Sequence, residues 1–273
     1  MNVRGASRAS FAALTDRLAA ENVSSATVAT RLGNELFAVV GLLDTEHGLR
    51  RALSDPGKPA AEKAAVTSAL LHGKVAGRTE ALIVAAAESR WATSSDLVDA
   101  IEQLAVEAMV IAGEAEDDLD DLEDGLFRFG RVVSGQPDLR AALASTWLPG
   151  ERKEQLLTAL LRGKVTAVTL RLISQMVTHP RGRGLTQALD MCASLAARRR
   201  RQLIAVVRTA VELSATQRRR LAGALAASYG HPVHLNVVID PSVVGGMSVQ
   251  IGDELIDGTA ATRLAAVRRK LAS

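Results

Sequence analysis

The 273 residues predict a mainly α protein that closes on a small α+β C-terminal module, with two related helical bundles joined by a long helix. Three observations carry this expectation. Hydrophobic residues make up 48% of the chain and aromatic residues only 3%, so the interior must be Ala, Leu and Val packed at helical spacing rather than around large rings. Segments 90 positions apart repeat: Phe37 with Phe127, LRRAL from Leu49 with LRAAL from Leu139, LLHGKV from Leu70 with LLRGKV from Leu160, and Leu82-Ile83 with Leu172-Ile173. Several matches in one register across about fifty residues are the mark of a duplication. Finally, beyond Arg198–Arg201 the apolar period changes from three-and-four to two. These observations divide the chain into a first bundle at 1–110, a second at 111–202 and the module at 203–273.

The first helix follows from Phe11, Leu14 and Leu18, with Ser7 or Ser10 as its cap. The second carries Val28, Leu32, Leu36, Val39 and Leu43 on one stripe, and Asp55-Pro56-Gly57-Lys58-Pro59 then breaks the backbone. Two more helices run from Pro59 to His72 and from Val75 to Arg90. From Leu97 the apolar positions alternate by three and four as far as Val133, which reads as one helix of about 37 residues, roughly 55 Å long, with Gly113 the place for a kink. The acidic run from Glu114 to Asp124 lacks the glycine turn and spaced ligands of a calcium loop, so it reads as a solvated helix face or exposed linker. Gly73-Lys74 and Gly163-Lys164 lack the upstream glycine of a phosphate loop and mark helix ends. Arg198–Arg201 likewise closes a helix, and HPRGRG from His179 is a turn.

In the module, Leu203–Ala210 reads as a strand, and Ser214-Ala215-Thr216-Gln217 as a capping box opening a helix that Tyr229-Gly230 ends. Val233, Leu235, Val237 and Ile239 alternate as a second strand; Asp240-Pro241-Ser242 is the turn. Gly245-Gly246 precedes a further strand through Met247, Val249 and Ile251, and glycine there implies a positive φ or a close backbone approach. Gly252-Asp253-Glu254 turns the chain again. Leu255-Ile256-Asp257-Gly258 leads into a basic helix with Leu264, Val267 and Leu271 on one stripe. The expected order is strand, helix, hairpin, helix.

Charge and composition exclude several functions. Net charge is +3, but residues 1–124 hold 11 Lys or Arg against 21 Asp or Glu, a net of −10, and the remainder carries +13. A molecule acidic at one end and basic at the other suits a bridge between unlike partners. Uncharged apolar stretches such as Leu36–Leu43 fall well short of the roughly 18 residues that span a bilayer, so no membrane-crossing helix is expected. The opening residues have no apolar core of the length a secretory signal needs, and the single Cys192 forms no internal disulfide; it reads as a small buried thiol in a reducing cytoplasm. Asp253, Glu254 and Asp257 have no triad or metal spacing with His231 and His234, so they read as turn-capping carboxylates rather than an acid and base. The alternative of a basic nucleic-acid-binding helical protein, raised by a pI of about 9.3, meets one Tyr, two Trp and four Phe, with no aromatic cluster on a strand.

The run HPVHLNVVIDPSVVGGMSVQIGDELIDGTAATRLAAVRRKL resembles the C-terminal signature of the ATP synthase delta subunit family, whose mitochondrial relative confers oligomycin sensitivity. The resemblance is carried by D-P-S-x-x-G-G from Asp240, including Gly245 and Gly246, then Ile251-Gly252-Asp253, Ile256-Asp257-Gly258, and Arg263-Leu264. Near the start, Ala6-Ser7-Arg8-Ala9-Ser10-Phe11-Ala12 is similar to the family's A-R-x-Y-A opening, with Phe11 for Tyr. The resemblance implies a stator protein without catalytic group, cofactor or metal, at the cytoplasmic face of the membrane. It implies a helical bundle that binds the N-terminal segments of the alpha subunits, and a C-terminal module that binds the b subunit stalk helix. Arg8, Phe11, Gly245, Gly246, Gly252, Asp253, Asp257, Gly258, Arg263 and Leu264 are its implied partner-binding residues. The family has one bundle; this chain carries two, and the resemblance leaves open which of them meets the head.

Overall fold

A computed structural model describes residues 5–21, 23–145, 147–200, 203–241, 243, 245–251 and 254–257. Among these the chain forms twelve helices and four strands, mainly α with a small mixed sheet near the C-terminus, and divides into two compact units, Met1–Ala197 and Arg198–Ser273.

In the first unit the helices are α1 (Ala6–Ala20), α2 (Ala26–Thr45), α3 (His47–Ser54), α4 (Ala60–Leu71), α5 (Gly77–Glu88), α6 (Ser94–Ala115), α7 (Leu119–Gly135), α8 (Pro137–Ala144), α9 (Gly150–Leu161), α10 (Ala167–Thr178) and α11 (Leu185–Arg200), the last reaching the unit's end. The bounds of α3, α4 and α5 shift by 90 onto α8, α9 and α10. The internal repeat therefore specifies not only residues but helix lengths and loops. Gly73 and Gly163 turn the chain after the fourth helix of each copy with φ of 73° and 72°, left-handed values glycine adopts at no steric cost. Inside the helices Leu82 and Ile83 are as buried as Leu172 and Ile173, and Lys63 as Lys153. The Lys63 stem runs along apolar surface to bring its ammonium to the Ser89 carbonyl at 3.3 Å.

Ser7 and Ser10 do not cap α1. Gly5 stands at its N-cap, and both serines tie the helix sideways to the α5–α6 turn. Ser7 Oγ donates to Asp96 Oδ2 at 2.7 Å and accepts from the Ala92 N–H at 2.8 Å, while Ser10 Oγ donates to the Arg90 carbonyl. The long element is α6, 22 residues rather than 37. It stops where Asp117 takes a φ of 59°, letting the Asp118 N–H return to the Gly113 carbonyl at 2.8 Å. Aspartate is among the few residues that accept this conformation, and Asp120 and Asp121 then favour a fresh start, because carboxylates stabilise the positive end of a helix dipole. The acidic run thus breaks the helix and opens the next one.

Leu97, Val98, Ala100, Ile101, Leu104, Ala105, Ala108 and Met109 on α6 are all at most 1% exposed, so this helix is enclosed on all but one polar stripe, Asp96, Asp99, Gln103 and Glu107. The reason lies in the repeat. Adding 90 to α1 gives 96–110, which falls within α6: the helix that ends the first copy also begins the second. As α1 packs on α5, so α6 packs on α10. The place that the second copy's missing leading helix would occupy is filled by α6 itself. One continuous hydrophobic core consequently runs from Leu14 on α1 to Ala196 on α11. Gly33 lets α2 lie close along α6, since a Cβ there would meet Met109 at 2.9 Å. Although α2 is the one described helix long and apolar enough to cross a membrane, its Leu32, Leu36, Val40 and Leu43 are spent in this core. Cys192 is fully buried on α11, and loss of solvation pushes its thiol up to about 12, as befits a packing residue.

Leu104→Ala should lower stability by about 2–5 kcal/mol in urea denaturation. Amides of α2 and α10 should lose hydrogen-exchange protection together. Loss confined to one copy would show that the shared helix does not couple them.

Candidate partner-binding surfaces

The second unit is built on β1 (Leu203–Thr209), a strand with an unbroken apolar run, Leu203–Val207, followed by Arg208 and Thr209. Helix α12 (Ala215–Tyr229) crosses over and delivers β2 (Val233–Ile239) parallel to β1, Leu203 beside Val233 and Thr209 beside Ile239. The expected capping box is present: Ser214 Oγ accepts from the Gln217 N–H, and Gln217 Oε1 from the Ser214 N–H at 2.8 Å. Gly230 closes the helix at φ 71°.

The strand order is β2-β1-β3-β4, which corrects the expected hairpin. β3 (Met247–Ile251) does not pair with β2; it lies antiparallel on the other side of β1, and the hairpin is formed with β4 (Glu254–Asp257), where a strand stands in place of the lead-in to a helix. With a neighbour on each side, β1 pairs its backbone N–H and C=O groups along both edges. After β2 the Asp240 N–H bonds to the Thr209 carbonyl at 2.9 Å, and the chain passes across the end of β1. Gly245 and Gly246 bring it into β3 with φ of 63° and 90°, values that L residues with side chains rarely take.

One face of the sheet packs on α12 through Ala205, Val207, Val249, Ile251 and Leu225. Tyr229 Oη donates to Glu254 Oε2 at 2.7 Å, tying the helix end to the edge strand and raising the phenol above its ordinary pKa. The opposite face carries Val206, Arg208, Ser248 and Gln250, with Val238 and Leu255 exposed towards the two edges.

The predicted partner-binding residues fall in different units. Arg8 is exposed on α1, and Phe11 packs partly into the helical core. Gly245 and Gly246 form the entry to β3, and Asp257 pairs by backbone with Ser248. Gly252, Asp253, Gly258, Arg263 and Leu264 lie outside the described residues.

Two features of the helical unit were not legible beforehand. The HPRGRG turn, with Arg181 at φ 49°, drives its arginines into a nest of acids from the first copy. Arg181 Nη1 lies 2.7 Å from Glu102 Oε2 and 2.9 Å from Asp99 Oδ1, and its Nε is 2.8 Å from Asp44 Oδ2. The last is a charge contact, since the Nε–H has no aligned acceptor. Arg183 also pairs with Glu102, which is almost fully buried. Burial pulls the Arg181 guanidinium pKa down, but the three carboxylates outweigh it and hold the group above its ordinary value. The signal in the sequence was Glu102, a lone charge inside the apolar stripe of α6. The second feature joins α2 to α10. Arg171 lies over the Phe37 ring, 5.6 Å from its centre, and its Nε donates to Asn34 Oδ1 at 2.7 Å.

The ATP synthase delta (OSCP) subunit family matches this chain over residues 106–271. That match starts within α6 and takes in the second copy and the module, leaving α1–α5 outside it. The subunits delta of the ATP synthases of Streptomyces avermitilis and Thermobifida fusca are each 47% identical to the chain, over 273 and 270 residues, with 100% and 99% of this chain and 100% of each relative covered. That of Streptomyces griseus is 46% identical over 270 residues, 99% of this chain and 100% of its own length. A chain of the Toxoplasma gondii mitochondrial ATP synthase hexamer is 20% identical, covering 62% of this chain and 95% of that one, at a TM-score of 0.27, too slight to bear on the fold. A helical unit followed by a small α+β unit, with the signature glycines at the entry to β3, gives the chain a two-part architecture. The chain belongs to the ATP synthase delta (OSCP) subunit family.

Gly246→Val should cost roughly 1–3 kcal/mol, the strain of forcing a branched residue to φ 90°. Exchange protection of β1 and β3 should fall while that of α2 and α6 holds. Unchanged protection in β3 would show that the turn tolerates a side chain.

Proposed function

We propose that the chain is a non-catalytic stator subunit of a proton-translocating F-type ATP synthase, linking the catalytic head to the membrane-anchored peripheral stalk at the cytoplasmic face. The observation that carries this reading is the full-length likeness to delta subunits, joined to a body of two unlike units with opposite charge balance. Torque from a rotor turns the head unless a stator resists it, and resistance needs rigid surfaces rather than a reacting group. A single core through eleven helices supplies a stiff body, because close-packed interiors transmit strain instead of absorbing it. The sheet unit, with its half-polar open face, is the part assigned to the b subunit stalk helix.

The alpha-subunit segments are assigned to the first copy, on α1 and α5. In the second copy the equivalent pair, α6 and α10, is already covered by α2. On the first copy the same positions are Ala12, Thr15 and Ala19 of α1 and Ala81 of α5, small residues that are exposed or half-buried and admit a closely packed helix. The Thr15 hydroxyl among them is shielded from solvent and has no hydrogen-bond partner. Arg8 and Phe11 precede this stripe on the same helix.

Truncation after Ile239 removes β3 and β4. It should abolish co-purification with b from detergent-solubilised membranes while leaving alpha attached and most helical circular dichroism in place. Ala12→Trp should do the converse, lowering recovery of alpha at least tenfold with b retained. Retention of b by the truncated chain would overturn the assignment of the module. Full recovery of alpha by the Ala12→Trp variant would overturn that of the first copy.

A further inference from the structure

Asn34 and Phe37 on α2 have counterparts 90 positions on, Asp124 and Phe127 on α7. The two pairs hold the same places in the two copies. On α2 the pair is occupied by Arg171, whose guanidinium lies over the ring and donates to the amide oxygen. On α7 the Phe127 ring is 59% exposed, and Asp124 pairs with Arg128 one turn along its own helix. We propose that the exposed face of α7 around Asp124 and Phe127 is a docking surface for a helix from another subunit, which presents an arginine to that pair as α10 presents Arg171 to Asn34 and Phe37. The proposal rests on the chain's place in the ATP synthase.

A single exposed phenylalanine needs no explanation. This one repeats a ring that the same fold uses to seat a guanidinium, and it keeps the acceptor three residues before it. The change from Asn34 to Asp124 favours the same ligand, because a carboxylate accepts from a guanidinium more strongly than an amide does and can engage it through two oxygens. The ring adds attraction for the cation above it. Asp121 and Asp120 continue the exposed stripe towards the start of α7, so the approaching surface must be basic at that end. A second copy of this chain does not fit. The position that would meet Phe127 in a continued stack is Ala81, the counterpart of Arg171, and it has no cation to offer.

The test uses the assembled complex. A photo-crosslinking benzoylphenylalanine replaces Phe127, and the ATP synthase is purified from membranes, irradiated and digested. The expected product joins residue 127 to another subunit, at a peptide with an arginine within one helical turn of the adduct. Asp124→Lys should lower its yield at least tenfold, and Asp124→Glu should preserve it, with equal recovery of the complex in each case. An intact complex without an adduct overturns the proposal. So does an adduct to this chain or a second copy of it, a target peptide without arginine, or a yield indifferent to Asp124→Lys. Failure of the unsubstituted chain to co-purify with the complex would instead overturn the assembly reading on which the proposal rests.

Discussion

A helix whose apolar side chains cover all but a narrow stripe of its circumference cannot be left at the surface without exposing several hundred Å² of hydrocarbon, at roughly 25 cal/mol per Å². α6 is such a helix, with Asp96, Asp99, Gln103 and Glu107 as its partly exposed stripe, and the rest of the helical unit is arranged to enclose its other sides. α1 and α5 close over it from the first copy, α2 lies along it because Gly33 permits close approach, and α7 and α10 cover it from the second. Two bundles side by side with a connecting segment would have buried two smaller cores. Sharing one helix gives a single larger one that runs through both copies. For a body that must hold against torque, that continuity is the property that counts.

Burying α6 also creates a problem that its sequence answers locally. Glu102 sits among the apolar residues of that helix, almost without solvent, and a lone carboxylate there would cost several kcal/mol. Arg181 and Arg183 from the turn between α10 and α11 reach it, and Asp99 and Asp44 complete the neutralisation of Arg181. The pairing adds little net stability, because each charge gave up its hydration to enter. It does tie the turn between α10 and α11 to α2 and α6 of the first copy.

Much of this was legible in the sequence, and the reasons differ by element. The offset of 90 implied equal helices and loops, and α3, α4 and α5 recur as α8, α9 and α10 because cores packed to crystal-like density tolerate no slippage. The capping box at Ser214 and the glycines before β3 were legible because each is a local rule. The break at Asp117 was not, since apolar spacing of three and four continues through it while the backbone turns on a single residue. The partners of β1 were not legible either: alternation shows which residues share a face but not which strand lies alongside. Arg171 meeting Asn34 and Arg183 meeting Glu102 span 137 and 81 residues and leave no local trace. Of the partner residues implied by resemblance, the described ones lie on α1, at the entry to β3 and in β4.

Stacking one copy on the next by the same rule is a head-to-tail arrangement, and such contacts do not close on themselves. Left unmodified they would propagate, chain upon chain, into a filament. Here the repetition stops at two because the ends no longer match. The face of α7 keeps the ring of its counterpart and strengthens the acceptor to a carboxylate, while the opposite end, on α1 and α5, has alanine where the arginine stood. On the assignments proposed above, one end would receive a helix that settles among small residues and the other a helix that brings its own cation. On that proposal, a duplication that ends in two unlike surfaces would obtain two docking faces from one fold, the copies agreeing in their cores and differing at Ala81 against Arg171 and Asp124 against Asn34.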